Sequence, residues 1–125
     1  MKSNRFLAVA IVIAATLSAA PVGAQDVASG QRLFESRCHI CHWDTNGKDY
    51  IGPSLFGVFG RHVGREPGYH YSKADLAADL VFDAETLDRY ITSPRGVIPG
   101  TAMTYAGMKD PKQRADLIAY LKTLR

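Results

Sequence analysis

Apolar residues recur at helical spacing in four stretches of the chain, and nowhere do they alternate with polar residues for long enough to predict a strand. The first stretch runs from about Asp26 to Cys41 and places Val27, Gly30, Leu33 or Phe34, and then Cys38 on one face. A second begins at Ser72, a residue suited to capping a helix start, and carries Leu76 and Leu80. The third opens on Asp83 with acidic Glu85 in its first turn, presents Leu87, Tyr90 and Ile91 together, and is stopped by Pro94. The fourth has Asp110 at the cap, Pro111 at the first helical position and Gln113 completing a capping box, ahead of an inner face of Leu117, Ile118, Leu121 and Leu124. Gly30 has no side chain and would let another helix approach closely, with Tyr120 as a suitable partner.

Between Gly52 and Gly68 the pattern breaks, with five Gly and two Pro in seventeen residues, which predicts loop. The expected fold is therefore all-α, with three to five short helices and long loops. Loops of this length in a small domain usually line something functional.

The N-terminus changes the picture of compartment and size. Lys2 and Arg5 precede an apolar run from Phe6 to Leu17 that is too short to span a bilayer, and Val22-Gly23-Ala24 supplies small residues for cleavage. Residues 1–24 are expected to be a secretory signal peptide and residues 25–125 a single domain, exported to the periplasm. An uncleaved membrane anchor is the alternative. The net charge of +3 falls to +1 once Lys2 and Arg5 are removed, and no block of like charge remains. Nothing therefore points to nucleic acid, to a polybasic membrane-binding patch or to stable membrane insertion, and a monomer is expected.

The chemistry resides in Cys38-His39-Ile40-Cys41-His42, a C-x-x-C-H run of the kind that attaches c-type haem. On a helix Cys38 and Cys41 are three residues apart and His42 follows, so two thiols and an imidazole can converge on one planar cofactor. The alternatives are a redox-active dithiol, a plain disulfide or half a zinc site. No strand pattern precedes Cys38 as a thioredoxin-like motif would require. The two further histidines available, His62 and His70, fit no common zinc spacing. Export to an oxidising compartment agrees with thioethers to haem, which would use both cysteines.

With these motifs in place the chain resembles the class I cytochrome c family, in particular its mitochondrial-type and bacterial soluble members, over essentially all of residues 25–125. The resemblance rests on Gly30 and Phe34, on Gly52-Pro53-Ser54-Leu55 with Gly57, Gly60 and Arg61, and on Pro67-Gly68-Tyr69-His70-Tyr71-Ser72. It continues through Thr86-Leu87, Tyr90, Pro94, Ile98-Pro99-Gly100-Thr101-Ala102-Met103, Tyr105-Ala106-Gly107 and Arg114-Ala115-Asp116-Leu117-Ile118-Ala119-Tyr120-Leu121.

The resemblance implies a cytochrome c fold around one haem c, bound through Cys38 and Cys41, with His42 and Met103 as iron ligands. A thioether opposite an imidazole raises the reduction potential, which suits an electron carrier. Met108, His62 and His70 are rivals to Met103; the turn Pro99-Gly100-Thr101 favours Met103. The resemblance further implies that the Pro53 carbonyl accepts the proximal imidazole N–H, that Arg61 and Tyr71 bind a haem propionate, and that Tyr90 and Thr101 hydrogen-bond near the distal sulfur and the propionates. Three departures stand out. Phe82 replaces a tryptophan that commonly donates to a propionate, Asp75 replaces an amide, and the usual lysine ring is reduced to Arg37, Arg95, Lys109 and Lys112. Trp43 has no assigned role.

The implied function is a non-enzymatic periplasmic one-electron carrier. It would meet transient redox partners: a membrane complex or periplasmic dehydrogenase as donor, an oxidase or reaction centre as acceptor. A haem peroxidase or gas sensor with an open distal site, and a haem subunit of a dehydrogenase, are the alternatives.

Overall fold

A computed structural model describes residues 24–125. Apart from Ala24, the expected signal peptide lies outside the described residues. Five helices follow one another: α1 (Val27–Arg37), α2 (Lys73–Ala77), α3 (Ala84–Thr92), α4 (Pro94–Val97) and α5 (Pro111–Leu121). Among the described residues β structure is limited to one isolated bridge between His62 and Val81, so the all-α expectation holds.

The expected caps form as the side chains dictate. Asp26 accepts from the backbone N–H of Ser29, Ser72 from that of Asp75, and Asp83 from that of Thr86, which begins α1, α2 and α3. Asp110 accepts from the N–H groups of Lys112 and Gln113, with Pro111 at the position where a missing N–H costs nothing.

Two boundaries and one helix face differ from expectation. α1 ends at Arg37 rather than at Cys41; the N–H groups of both Cys38 and His39 then bond to the Phe34 carbonyl, which closes the helix. The cysteine segment continues as a tight turn in which the N–H groups of Cys41 and His42 reach the Cys38 carbonyl at 3.0 and 2.9 Å. Pro94 stops α3 as expected but also opens α4, because a proline ring suits a first turn. In α2 the apolar face is reversed: Leu76 is 50% exposed, whereas Asp75 is buried. A five-residue helix is too short to hold an apolar stripe, and the Asp75 carboxylate is captured by Ser72 Oγ at 2.7 Å and the Ala102 N–H at 3.4 Å.

The core is a crossing of α1 over α5, with α3 packed on α5. A Cβ on Gly30 would stand 2.0 Å from the Asp116 carbonyl oxygen and 2.9 Å from Tyr120 Cβ, so the crossing admits only glycine there. This is the close approach expected from sequence, with Tyr120 as the partner. Phe34 and Leu117 fill the crossing at 0% and 1% exposure. Each contributes about 1.5–3 kcal/mol by burial. Leu87, Ile91, Ile118 and Leu121 extend the same cluster, and Leu124, beyond the end of α5, packs on its edge.

Candidate haem site

The helices leave a cavity of about 290 Å³ on one side of the core. The turn after α1 supplies Cys38, Cys41 and His42, the glycine-rich loop supplies Gly52, Pro53, Val58 and Arg61, and α3 and α5 supply Leu87, Ile91, Leu117 and Leu121. Met103 comes from the segment between α4 and α5. The walls are mainly apolar, with the two thiols, one imidazole and one thioether set into them.

His42 is oriented by the loop. Its Nδ1 lies 2.7 Å from the Pro53 carbonyl oxygen. A carbonyl can only accept, so Nδ1 carries the proton and Nε2 keeps its lone pair. Burial lowers the His42 pKa from its usual value, with the nearby Arg61 charge adding to the effect, while the bond to Pro53 opposes it. The ring is thus held as a neutral imidazole, the state that binds a metal. A Cβ on Gly52 would lie 2.3 Å from His42 Cε1, so the ring occupies space that only a glycine leaves open. The Cys38 thiol is pushed up to about 11 by burial and by Cys41 beside it. Both cysteines are free rather than paired in a disulfide.

The segment bearing Met103 is pinned at both ends. On one side Gly100 takes a positive φ of 91° and the Thr101 N–H bonds to the Ile98 carbonyl at 3.0 Å. On the other, the Met108 N–H bonds to the Ile91 carbonyl at 2.9 Å, and Arg114 binds the carbonyls of Met108 and Lys109 as well as Asp88. Met108 is buried in the core cluster and does not line the cavity. His62 and His70 are exposed and outside the lining. His39 also turns away and stacks between Phe34 and Trp43, at ring-centre distances of 5.6 and 4.8 Å. Trp43 thereby gains a place that sequence did not supply: it flanks the cysteine turn, with Lys48 Nζ 3.8 Å above its ring.

The remaining expected residues gather around the same cavity. Tyr90 and Thr101 hydroxyls are 3.3 Å apart, and Thr101 Oγ1 accepts from the Met103 N–H at 3.3 Å. Burial raises the Tyr90 pKa, so its hydroxyl stays protonated. Tyr71 lines the cavity and accepts at its hydroxyl from the Glu66 N–H at 3.2 Å. Phe82 occupies the wall against Tyr90, 5.3 Å between ring centres, and offers no donor. Arg61 lines the cavity, yet its guanidinium already donates to the Ser54 and Phe56 carbonyls and to the carboxylate of Glu66. Sequence reasoning missed Glu66. Its only signal was an acid five residues beyond the arginine in a loop otherwise poor in carboxylates. Of the cations considered for docking, Lys112 is bound to Asp116 and Lys109 donates to the Thr92 carbonyl, whereas Arg37 lies at the cavity rim.

The donor set fits a covalently held haem: two thiols at the spacing of the C-x-x-C-H run, one basic imidazole nitrogen, one thioether and apolar walls for a porphyrin. The comparisons with known proteins agree. The sequence profile of the Cytochrome c family matches residues 27–125. The chain is 48% identical to cytochrome c2 of Rhodopila globiformis over 106 residues, covering 85% of this chain and 98% of that protein. It is 45% identical to cytochrome c2 of Blastochloris viridis over 106 residues, covering 84% of this chain and 83% of that protein. Cytochrome cH from Methylobacterium extorquens superimposes with a TM-score of 0.73 at 38% identity, covering 78% of this chain and 98% of that one. With its C-x-x-C-H turn opening onto an apolar cavity, the fold is that of a c-type cytochrome. The chain belongs to the cytochrome c family and binds one covalent haem c, as a monohaem electron carrier. Among the described residues no helix is long and apolar enough to cross a membrane.

Proposed function

We propose that this cytochrome is a periplasmic one-electron carrier in which Cys38 and Cys41 hold the haem and His42 and Met103 bind its iron. The observation that carries the ligand pair is that His42 and Met103 are the one histidine and the one methionine in the cavity lining among the described residues. When bound, the haem supplies the redox couple. The chain's own residues do the rest. Pro53 fixes the imidazole tautomer, and Thr101 with Tyr90 fixes the backbone at Met103. The apolar walls exclude water, which keeps both ligands in place through each change of charge. Arg61 and Tyr71, both in the lining, would offer the haem's carboxylates a cation and a hydroxyl.

No side chain acts as acid, base or nucleophile in this scheme. Electrons enter and leave at the cavity rim, where Ile40 and Ile51 are exposed, in short-lived complexes with a membrane complex or periplasmic dehydrogenase and with an oxidase or reaction centre. With Lys109 held by the Thr92 carbonyl and Lys112 by Asp116, association should depend less on ionic strength than in lysine-rich relatives.

The test is the optical spectrum of the matured protein, oxidised and reduced, with and without carbon monoxide. A sulfur-to-ferric-iron charge-transfer band and no response to carbon monoxide are expected. Ready carbon monoxide binding without that band would mean an open iron and would favour a peroxidase or gas sensor.

A further inference from the structure

The wall of the cavity carries an ion pair that the electron-carrier scheme does not use. Glu66 is 8% exposed, and its carboxylate is bound by the Arg61 guanidinium. Arg61 in turn is fixed by the carbonyls of Ser54 and Phe56, at 2.8 and 3.1 Å. The backbone of Glu66 is fixed as well, its N–H donating to Tyr71, another lining residue. A surface ion pair would contribute little to anything. This one is built into a cavity wall by at least three further hydrogen bonds, and burial weakens the screening of its charges.

Without Glu66, Arg61 would keep its full positive charge beside a cofactor that gains an electron on reduction, even with a haem carboxylate as its partner, and so would favour the reduced state. Glu66 cancels that charge at close range. We infer that Glu66 is a potential-setting residue: acting through Arg61, it removes the positive field at the haem cavity and holds the reduction potential below the value Arg61 alone would give. The inference rests on the electron-carrier reading above. It concerns Glu66 as a positioning residue for Arg61, with no contact of its own to the cofactor required.

The experiment is an equilibrium redox titration of the haem-loaded wild type, Glu66→Gln and Glu66→Asp at neutral pH. Glu66→Gln should raise the ratio of reduced to oxidised protein at a fixed ambient potential about threefold or more, the scale on which a unit charge acts across a partly buried setting. Glu66→Asp keeps the charge and should remain near the wild type, even if both variants lose similar stability. An unchanged or lowered potential in Glu66→Gln overturns the inference, and so does an equal shift in both variants, which would assign the effect to packing.

Should Glu66→Gln fail to take up haem, the native protein answers the question. The chain has three glutamates, Glu35, Glu66 and Glu85, and among them only Glu66 is buried. In the reduced-minus-oxidised infrared difference spectrum of protein labelled with ¹³C at the glutamate carboxyl, an isotope-shifted carboxylate stretch should appear, because the one buried glutamate carboxylate responds to the change of haem charge while the exposed two do not. A difference spectrum with no isotope-sensitive carboxylate band overturns the inference. A reversible one-electron titration of the wild type upholds the electron-carrier reading whatever Glu66 does, so the two can fail separately.

Discussion

The crossing of α1 over α5 and the cavity wall formed by residues 51–71 are held together by different physics. At the crossing, Phe34, Leu117, Ile118 and Leu121 pack against one another, and glycine at position 30 brings the backbones into contact. The wall sends Val58 and Leu55 into the same cluster and buries Val63, but it adds a polar framework of its own. It is tied by polar bonds: Ser54 N–H to Asp49, Ser54 Oγ to the Thr45 carbonyl, Arg61 to two carbonyls and Glu66, and Tyr69 Oη to the Ile51 carbonyl. Leu117 and Leu121 also face the cavity, but Phe34 and Ile118 are buried against protein alone, whereas the loops of residues 51–71 border the cavity along much of their length. The scaffold is therefore the self-sufficient half of the molecule, and the wall depends on its cofactor.

Removing the haem should separate the two regions most clearly. The double variant Cys38→Ala/Cys41→Ala, which cannot attach haem, should lose most of its near-ultraviolet dichroism, because binding free energy available only to the native state is gone. Hydrogen exchange should show protection lost first in residues 51–71 and retained longest in α1 and α5. Native-like dichroism, or uniform loss of protection, would break the comparison.

The crossing can be attacked directly. Gly30→Ala sets a methyl group 2.0 Å from the Asp116 carbonyl, a backbone atom that cannot swing aside. A loss of about 3 kcal/mol or more is expected in denaturant unfolding of the haem-loaded protein, as for other overpacked cores.

A paired experiment on the two methionines sharpens the contrast between site and scaffold. Met103→Ala should abolish the sulfur-to-iron band, open the iron to carbon monoxide and lower the reduction potential. Met108→Leu should leave the spectrum unchanged and cost less than about 1.5 kcal/mol, because it is a volume-conserving change in the core. The reverse pattern would exchange their roles.

The smallest effect should come from the seam between the regions. Tyr120 on α5 donates to Asp44 at 2.9 Å, and burial together with that carboxylate pushes its hydroxyl up to about 12. Tyr120→Phe should cost about 1 kcal/mol at neutral pH. A phenol whose folded pKa lies above its ordinary value of about 10 contributes fully below pH 10 and loses that contribution as pH rises through the folded value. The stability gap between wild type and Tyr120→Phe should therefore close between about pH 10 and 12; a gap that is constant through that window would dissociate the bond from the shift.

Much of this was legible in the chain itself, because it depends on short-range chemistry. The caps at Asp26, Ser72, Asp83 and Asp110, the stop at Pro94, the close approach at Gly30 and the pairing of two thiols with an imidazole in Cys38–His42 all follow from residues a few positions apart. The turn Pro99-Gly100-Thr101 already favoured Met103 over Met108, but only the tertiary structure put the one in the cavity lining and the other in the core. It alone buried Asp75 and exposed Leu76, where partners reached from Ser72 and, across the fold, Ala102 outweighed a weak local apolar signal. It alone joined Arg61 to Glu66, because the path of a glycine-rich loop is set by the surfaces it must cover and leaves no periodic trace in the sequence.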